Sequence, residues 1–466
     1  MLSSKWAASQ AWWGRCSEGQ RATLAFLLVA ALALLVQVEH RIESFPHDAA
    51  LYWQLAMDPA LVSPTLFIRG YFYPLVMGSV VKALGWLGVE PIAGFRVFSA
   101  ITCAAVLTWV LPATYRLLYQ GSASFLRRVA LAVLLTAMYP GILLFPLSEL
   151  PSLGLIWLSV YSLLRARLHR QEGLKRLAGW LLLSGCAAAA AYNTRTIYLF
   201  SLPLIVAALW LQFAGRRVHL AWFAAGAILV SLPQVAINHR VHGVASPNPT
   251  VMFSGQSLFA LQLWLGVRVQ KYETYLSSTA STFQYADLAG QNLLTTLQKE
   301  GPTNTVADYL RAVLRHPLEF AGLYGRHLLN GIDVRDGRMY LLRPTTGRLG
   351  TSFLCMSALL VALYSIHTRR RPAAADGAAP AERWRWLLPA ALMLPGLLAV
   401  PGQMETRFMI PFLAYLYTAA LAHASWPGMQ ARLRARWHID LVLALVAYAV
   451  FFAVTQSAIA QMKPSL

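Results

Sequence analysis

Asp48 is the residue whose type and placement most strongly suggest chemistry. It closes the run Glu39-His40-Arg41-Ile42-Glu43-Ser44-Phe45-Pro46-His47-Asp48, directly after the first long apolar stretch. A carboxylate there can take a proton from an acceptor hydroxyl or amine, or help hold a divalent cation. A second acid, Glu149, stands in the tight turn Pro146-Leu147-Ser148-Glu149-Leu150-Pro151 between two apolar runs. Three arginines lie on other short segments. They are Arg69 in Phe67-Ile68-Arg69-Gly70-Tyr71-Phe72-Tyr73-Pro74, Arg195 in Tyr192-Asn193-Thr194-Arg195, and Arg407 in Gln403-Met404-Glu405-Thr406-Arg407-Phe408. Guanidinium groups grip a phosphate with paired hydrogen bonds and stabilise it as it leaves.

Each of these residues also has a plainer reading. Glu149 reads as a solvated loop residue, and Arg69 and Arg195 as side chains that reach lipid head groups. Glu405 and Arg407 read as a local ion pair. Glu39 and Glu43 fit a solvated helix end, and His47 an orienting or structural role. Asp48 has no obvious packing role, and acids near lipid are kept mainly where they act.

The elements that must position these residues are apolar. The chain has 466 residues, 57% of them hydrophobic and 12% charged, about half the charged share of a soluble domain. Continuous apolar runs approach the ~20 residues that cross a bilayer, without the alternation of a β-barrel. The composition predicts an all-α polytopic membrane protein with about eleven spans. They lie near 22–38, 94–114, 129–146, 150–165, 177–193, 196–213, 219–237, 350–367, 386–401, 408–424 and 439–460. A shorter stretch, 73–88, is expected to be re-entrant or parallel to the membrane. The run after Arg21 reads as a retained first helix rather than a cleaved signal, because no small-residue site follows it. Four cysteines without CxxC spacing support neither a disulfide framework nor a zinc site.

Net charge is +20. With no basic helix carrying interleaved aromatics, this argues against nucleic acid and for the positive-inside bias of membrane proteins. Placing the N-terminus in the cytoplasm puts the clusters at Arg116–Arg128, Arg165–Arg176, Arg216–Arg217, Arg369–Arg385 and Arg432–Arg436 inside. Most acids then fall outside. Three parts follow: 1–237, a transmembrane module whose first external loop is 39–93; 238–349, a large external segment; and 350–466, the C-terminal helices. An amphipathic pattern at 306–330 predicts helix within the external segment. Residues 372–382 read as a flexible linker.

The ordered set of motifs over about 40–425 resembles the GT-C superfamily of membrane glycosyltransferases. It is most similar to the branch with protein O-mannosyltransferases and the lipid A aminoarabinose transferase. The matching features are His47-Asp48-Ala49-Ala50-Leu51-Tyr52, Arg69 with the aromatic-Pro pair Tyr73-Pro74, and Pro146-Leu147-Ser148-Glu149. Thr194-Arg195 and Glu405-Thr406-Arg407-Phe408-Met409-Ile410-Pro411 complete the set. Gly70 and Glu149 depart from it, since many members carry Pro and Asp there. The resemblance implies inverting transfer of a sugar from a polyprenyl-phosphate donor to a glycan, lipid or protein acceptor at the outer face of a bacterial inner membrane. In that reading Asp48 is base or metal ligand and Glu149 supports it. Arg69, Tyr73, Arg195, Glu405 and Arg407 bind the phosphate and substrate, and 238–349 selects the acceptor. A Mg or Mn ion on Asp48 and Glu149 is left open, because two acids are too few to demand one.

Two other readings compete. A lipid flippase or transporter would carry internal repeats and charges at mid-membrane; no repeat is visible here. An O-antigen polymerase or ligase would use Arg and His of the external segment, for which Arg326 and His327 are available. The topology itself is testable. Protease added to right-side-out vesicles should cut within 238–349, and cleavage only in inverted vesicles would overturn the assigned orientation.

Overall fold

The computed structural model describes residues 17–40, 42–58, 70–119, 124–213, 215–248, 252–253, 256–274, 282–334, 349–368, 384, 386–423 and 426–464. Arg69, with the rest of 59–69, and the 372–382 linker lie outside them. The chain is predominantly helical. Its first helix, α1 (Glu18–His40), starts at a capping box. The Gln20 amide donates to the Ser17 hydroxyl while the Gln20 side chain accepts from the Ser17 amide, so two otherwise unpaired donors are satisfied. Two short helices follow, α2 (His47–Met57) and α3 (Phe72–Gly85). The membrane-parallel or re-entrant stretch expected at 73–88 corresponds to α3.

The next helix, α4, runs unbroken over Pro91–Tyr119. Glu90 caps it and Pro91 occupies its first turn, where a missing N–H costs nothing. Its middle, Ala105–Val110, widens into a π-turn, which alters the hydrogen-bond ladder. The buried Arg128 guanidinium donates to the Thr108 carbonyl at 2.5 Å and pairs with Glu18 at 3.0 Å. Glu18 also pairs with Arg116. The widened turn is therefore braced by a buried cation that has its own counter-ion.

Helix α5 (Phe125–Met138) ends earlier than the expected 129–146 span. Pro140 and Pro146 cannot continue it, and residues 139–148 stay buried, with one short helical turn at Gly141–Leu144 between irregular stretches. That backbone is satisfied by turn bonds and by Ser99, whose hydroxyl donates to the Leu143 carbonyl. It leads into α6 (Glu149–Leu168) and α7 (Leu174–Thr194). A 3₁₀ turn, Thr196–Phe200, then opens α8 (Ser201–Gln212), and α9 (Arg217–His242) follows.

The segment expected to be external is a mixed unit. A small hairpin of β1 (Met252–Phe253) and β2 (Gln256–Ser257) leads to α10 (Leu258–Arg268). Strands β3 (Val269–Thr274) and β4 (Thr282–Ala286) pair antiparallel, and α11 (Leu288–Glu300), α12 (Val306–Arg315) and α13 (Pro317–Ile332) follow. The amphipathic stretch expected at 306–330 is thus two helices, split where Pro317 restarts the chain. The C-terminal helices are α14 (Leu349–Thr368), α15 (Leu387–Leu397), α16 (Ile410–His423) and α17 (Trp426–Ile459). Strand β5 (Met462–Pro464) pairs with β4, which brings residues 462–464 against the 252–334 segment.

Among the described residues, four helices are long and apolar enough to cross a membrane: Glu18–His40, Pro91–Tyr119, Arg217–Val241 and Trp437–Ile459. One apolar core joins helices from both ends of the chain, with Leu107, Leu153, Leu209, Leu388 and Leu413 all buried in it. Helices α10 to α13 build a second core around Trp264, Val267, Tyr309 and Phe320. Tyr52, Tyr73, Met77 and Phe95 form a third beneath α2 and α3.

Helices α7 and α9 interlock through glycine. A Cβ on Gly185 would lie 1.9 Å from the Phe223 carbonyl oxygen, and one on Gly226 would lie 2.1 Å from that of Leu182. Such small-residue crossings let apolar helices touch backbone to backbone. Gly226→Val should lower stability by about 1–3 kcal/mol, the usual cost of overpacking, read as a drop in the thermal midpoint in detergent. An unchanged midpoint would mean that the two helices do not pack this closely.

Candidate functional site

Five charged residues expected from the sequence meet at one end of the helical body. Asp48 comes from the first turn of α2, and the residue before it, His47, sits in the left-handed region at φ 51°. That conformation is uncommon for a side-chain-bearing residue and costs about 1–3 kcal/mol. It turns the chain sharply just before Asp48. Glu149 begins α6, where the helix dipole favours a negative charge, and Arg195 follows the last turn of α7, where it favours a positive one. Glu405 and Arg407 lie on the loop and 3₁₀ turn (Thr406–Met409) that open α16.

Arg407 is the hub. Its Nη2 lies 2.9 Å from Asp48 Oδ2, and its Nε lies 2.6 Å from Glu405 Oε2 and 3.3 Å from Glu149 Oε1. Glu149 Oε1 also binds Arg195 Nη1 at 2.5 Å. The Phe408 ring lies 4.8 Å from the Arg195 guanidinium carbon and 5.5 Å from that of Arg407, so both cations rest near one aromatic face. Exposure separates the acids. The Glu405 and Glu149 side chains are 0% and 4% exposed, whereas that of Asp48 is 24% exposed. Asp48 is the most exposed of the three carboxylates, and it does not itself line the cavity described next.

Three carboxylates against two guanidiniums leave one negative charge in excess. Burial pushes the Glu405 carboxyl above its usual range; Arg407 opposes this, while Asp48 and Glu149 add to it. Strand β3 completes the surroundings. The Tyr272 amide donates to the Met404 carbonyl, and Glu273 Oε1 accepts from the Thr406 amide at 3.2 Å. Burial pushes the Tyr272 phenol well above its usual range, and the neighbouring Glu405 adds to this. Tyr272 and Glu273 escaped the sequence reading because they sit 130 residues and more from their partners, in a stretch with no recognisable motif.

Beside the arginines lies a cavity of about 430 Å³, within the roughly 300–1,000 Å³ of small-molecule sites. Arg195 and Arg407 line it. So do apolar residues including Ile197, Leu199, Phe200, Leu258 and Phe259, and a set of uncharged polar side chains. Its polar wall is held by an amide chain. Asn193 donates to Gln234, Gln234 to Asn238, and Asn238 to the Ser246 and Asn248 carbonyls. The Tyr192 hydroxyl donates to the Asn248 side chain. Gly70 is pressed on Asn193, where a Cβ would fall 1.8 Å from a carbonyl oxygen. That contact explains why neither Pro nor any other side chain fits at 70.

The other expected site residues lie elsewhere. Tyr73 packs on Tyr52, with ring centroids 5.2 Å apart, in the core under α2 and does not line the cavity. Arg69 is outside the described residues. Arg326 pairs with Asp287, and the ring nitrogens of the buried His327 lie 2.6 and 2.9 Å from the Val400 and Val269 carbonyls. Glu39, Glu43 and His47 are exposed. Among the described residues no group of three or more His, Cys, Asp or Glu is arranged to hold a metal. A divalent cation bridging Asp48 and Glu149 does not fit this geometry, because the Arg407 guanidinium contacts both carboxylates.

Comparison with protein-family models, with curated proteins and with solved structures finds no match to this chain. The ion network makes its own prediction. Glu149→Gln leaves Arg195 and Arg407 short of a buried counter-charge, a change that costs about 3–5 kcal/mol where one partner of a buried pair is removed. The thermal midpoint should fall accordingly, and a midpoint within error of the native chain would show that Glu149 does not anchor the cluster.

Proposed function

We propose that the chain is a GT-C-like membrane glycosyltransferase that moves a sugar from a polyprenyl-phosphate donor to an acceptor at the outer membrane face. One observation carries the reading: two guanidiniums line an apolar-walled cavity, and one of them also holds the most exposed carboxylate of the cluster, Asp48. A lipid phosphate needs apolar walls for its tail and cations for its head. The eleven-span count and the outward-facing site belong to this proposal. The pairing of β5 with β4 supports an even number of crossings after 349.

In the proposed reaction Arg195 and Arg407 hold the donor phosphate. Asp48 takes the proton from the acceptor hydroxyl or amine as the acceptor atom bonds to the sugar's anomeric carbon. The bond from that carbon to the phosphate oxygen breaks, its electrons leave with the polyprenyl phosphate, and the anomeric configuration inverts. The arginines offset the charge that builds on the leaving phosphate. Glu149 and Glu405 are too buried to touch substrate and act as positioning residues for the two cations. Arg407 supplies fixed positive charge between Asp48 and Glu149, the place where a metal would otherwise be invoked.

The competing readings find less support. Arg326 and His327, on which a polymerase or ligase reading rests, are engaged in packing and do not line the cavity. The charge cluster lies at one end of the helices, not at mid-span as transport would favour. Purified protein in detergent, given a panel of radiolabelled polyprenyl-phosphate sugars, should release sugar from at least one donor. Asp48→Asn should lower that release by about 10²-fold or more, the scale of a lost general base, with donor binding largely intact. Undiminished turnover in the variant would remove Asp48 from the mechanism, and inertness of the native chain towards every donor would favour transport.

A further inference from the structure

The charge inventory of the cavity is lopsided. Among the described residues that line it, Arg195 and Arg407 are the charged ones; the remaining polar side chains are Tyr192, Thr196, Asn248, Gln262, Tyr272 and Gln403. The whole stretch 246–260, which supplies Asn248, Leu258 and Phe259, contains no ionisable residue. Both arginines already face carboxylates outside the cavity and, on the transferase reading, the donor phosphate within it. An ammonium on the sugar would find no acid among the described lining residues, where the two guanidiniums are the charged groups. A carboxylate on the sugar would compete with the phosphate for the same two cations. Hydroxyl groups, by contrast, suit amide side chains, which both donate and accept.

The backbone that carries these amides is also held in place. The Gln403 main-chain N–H donates to the Gln262 main-chain carbonyl at 2.9 Å. Helix α10 approaches the Gly402 backbone so closely that a Cβ on Gly266 would lie 2.5 Å from the Gly402 carbonyl carbon. Gln262 and Gln403 thus flank one seam of the cavity. Asn248 is fixed on the wall formed by Tyr192 and Asn238. Polar groups immobilised before binding discriminate better than mobile ones.

We infer, resting on the glycosyltransferase reading, that the sugar carried in this cavity is uncharged and that Asn248, Gln262 and Gln403 are its specificity-determining residues. A site built to bond hydroxyls penalises a charged replacement, because the charge is left unpaired when desolvated.

Equilibrium binding of short-chain polyprenyl-phosphate donors to the full chain in detergent tests this without knowledge of the acceptor. The panel is a neutral hexose, a 4-amino sugar, a uronic acid and the bare polyprenyl phosphate. The neutral donor should bind at least about tenfold tighter than either charged one, as expected for one mismatched polar group. Asn248→Asp and Gln403→Glu, each adding a carboxylate to the wall, should move the preference towards the amino sugar by a similar factor. Equal or tighter binding of a charged donor to the native chain would overturn the inference and leave the transferase reading standing. Native selectivity that neither well-folded variant alters would remove these residues as its source. Failure of every lipid phosphate to bind would overturn the transferase reading and this inference with it. Should a variant aggregate, the native panel alone still decides whether the sugar is neutral.

Discussion

The contact on which the site depends is the Arg407 guanidinium held by carboxylates from three segments: Asp48 on α2, Glu149 at the head of α6, and Glu405 on its own loop. These segments lie more than 350 residues apart at the extremes. Burying such a group costs several kcal/mol unless good geometry returns it. The return here is shared, because Asp48 meets Nη2 of one planar cation while Glu405 and Glu149 share its Nε. Arg195 then doubles the arrangement through Glu149, and Phe408 lies under both cations. Losing any one member leaves the others charged and buried.

The 252–334 segment is fastened to this cluster by hydrogen bonds to the main chain of the loop 400–406. Strand β3 donates to the Met404 carbonyl, and Glu273 receives the Thr406 amide. The Tyr309 hydroxyl donates to the Pro401 carbonyl, and the His327 ring bridges the Val400 and Val269 carbonyls. Burial pulls the His327 imidazole below its usual range against the opposing pull of those carbonyls. The loop 400–406 is thereby gripped from α12, α13 and β3 at once. The same loop carries Glu405 and supplies Gly402 and Gln403 to the cavity wall, so the cavity and the ion cluster share one support.

The same logic governs the buried polar groups around the cavity. The chain Asn193–Gln234–Asn238–Asn248 satisfies amides that would otherwise be costly among apolar helices. It ties α7, α9 and the start of α3 into one wall, since Asn193 also accepts from the Phe72 amide. On the opposite end, Glu18, Arg116 and Arg128 brace the π-turn of α4. Each polar device stands where a helix ends, widens or meets irregular backbone, the places where main-chain groups lack their usual partners.

Composition alone determined that the chain is mainly helical with bilayer-length apolar helices, because apolar runs leave the backbone no satisfied state but the helix. The sequence also singled out Asp48, Glu149, Arg195, Glu405 and Arg407, since ionisable residues in short loops between apolar runs are few and conspicuous. It could not reveal Tyr272 and Glu273, whose environment is made by strand pairing with a loop 130 residues away. Nor could it separate Glu149, fully buried, from Asp48, open to solvent, because both read as acids in short turns. It placed Tyr73 with the binding residues, whereas packing on Tyr52 holds it in a core. Local pattern reports which groups are costly to bury. Only the tertiary structure decides which of them are buried together, because that depends on where distant segments converge.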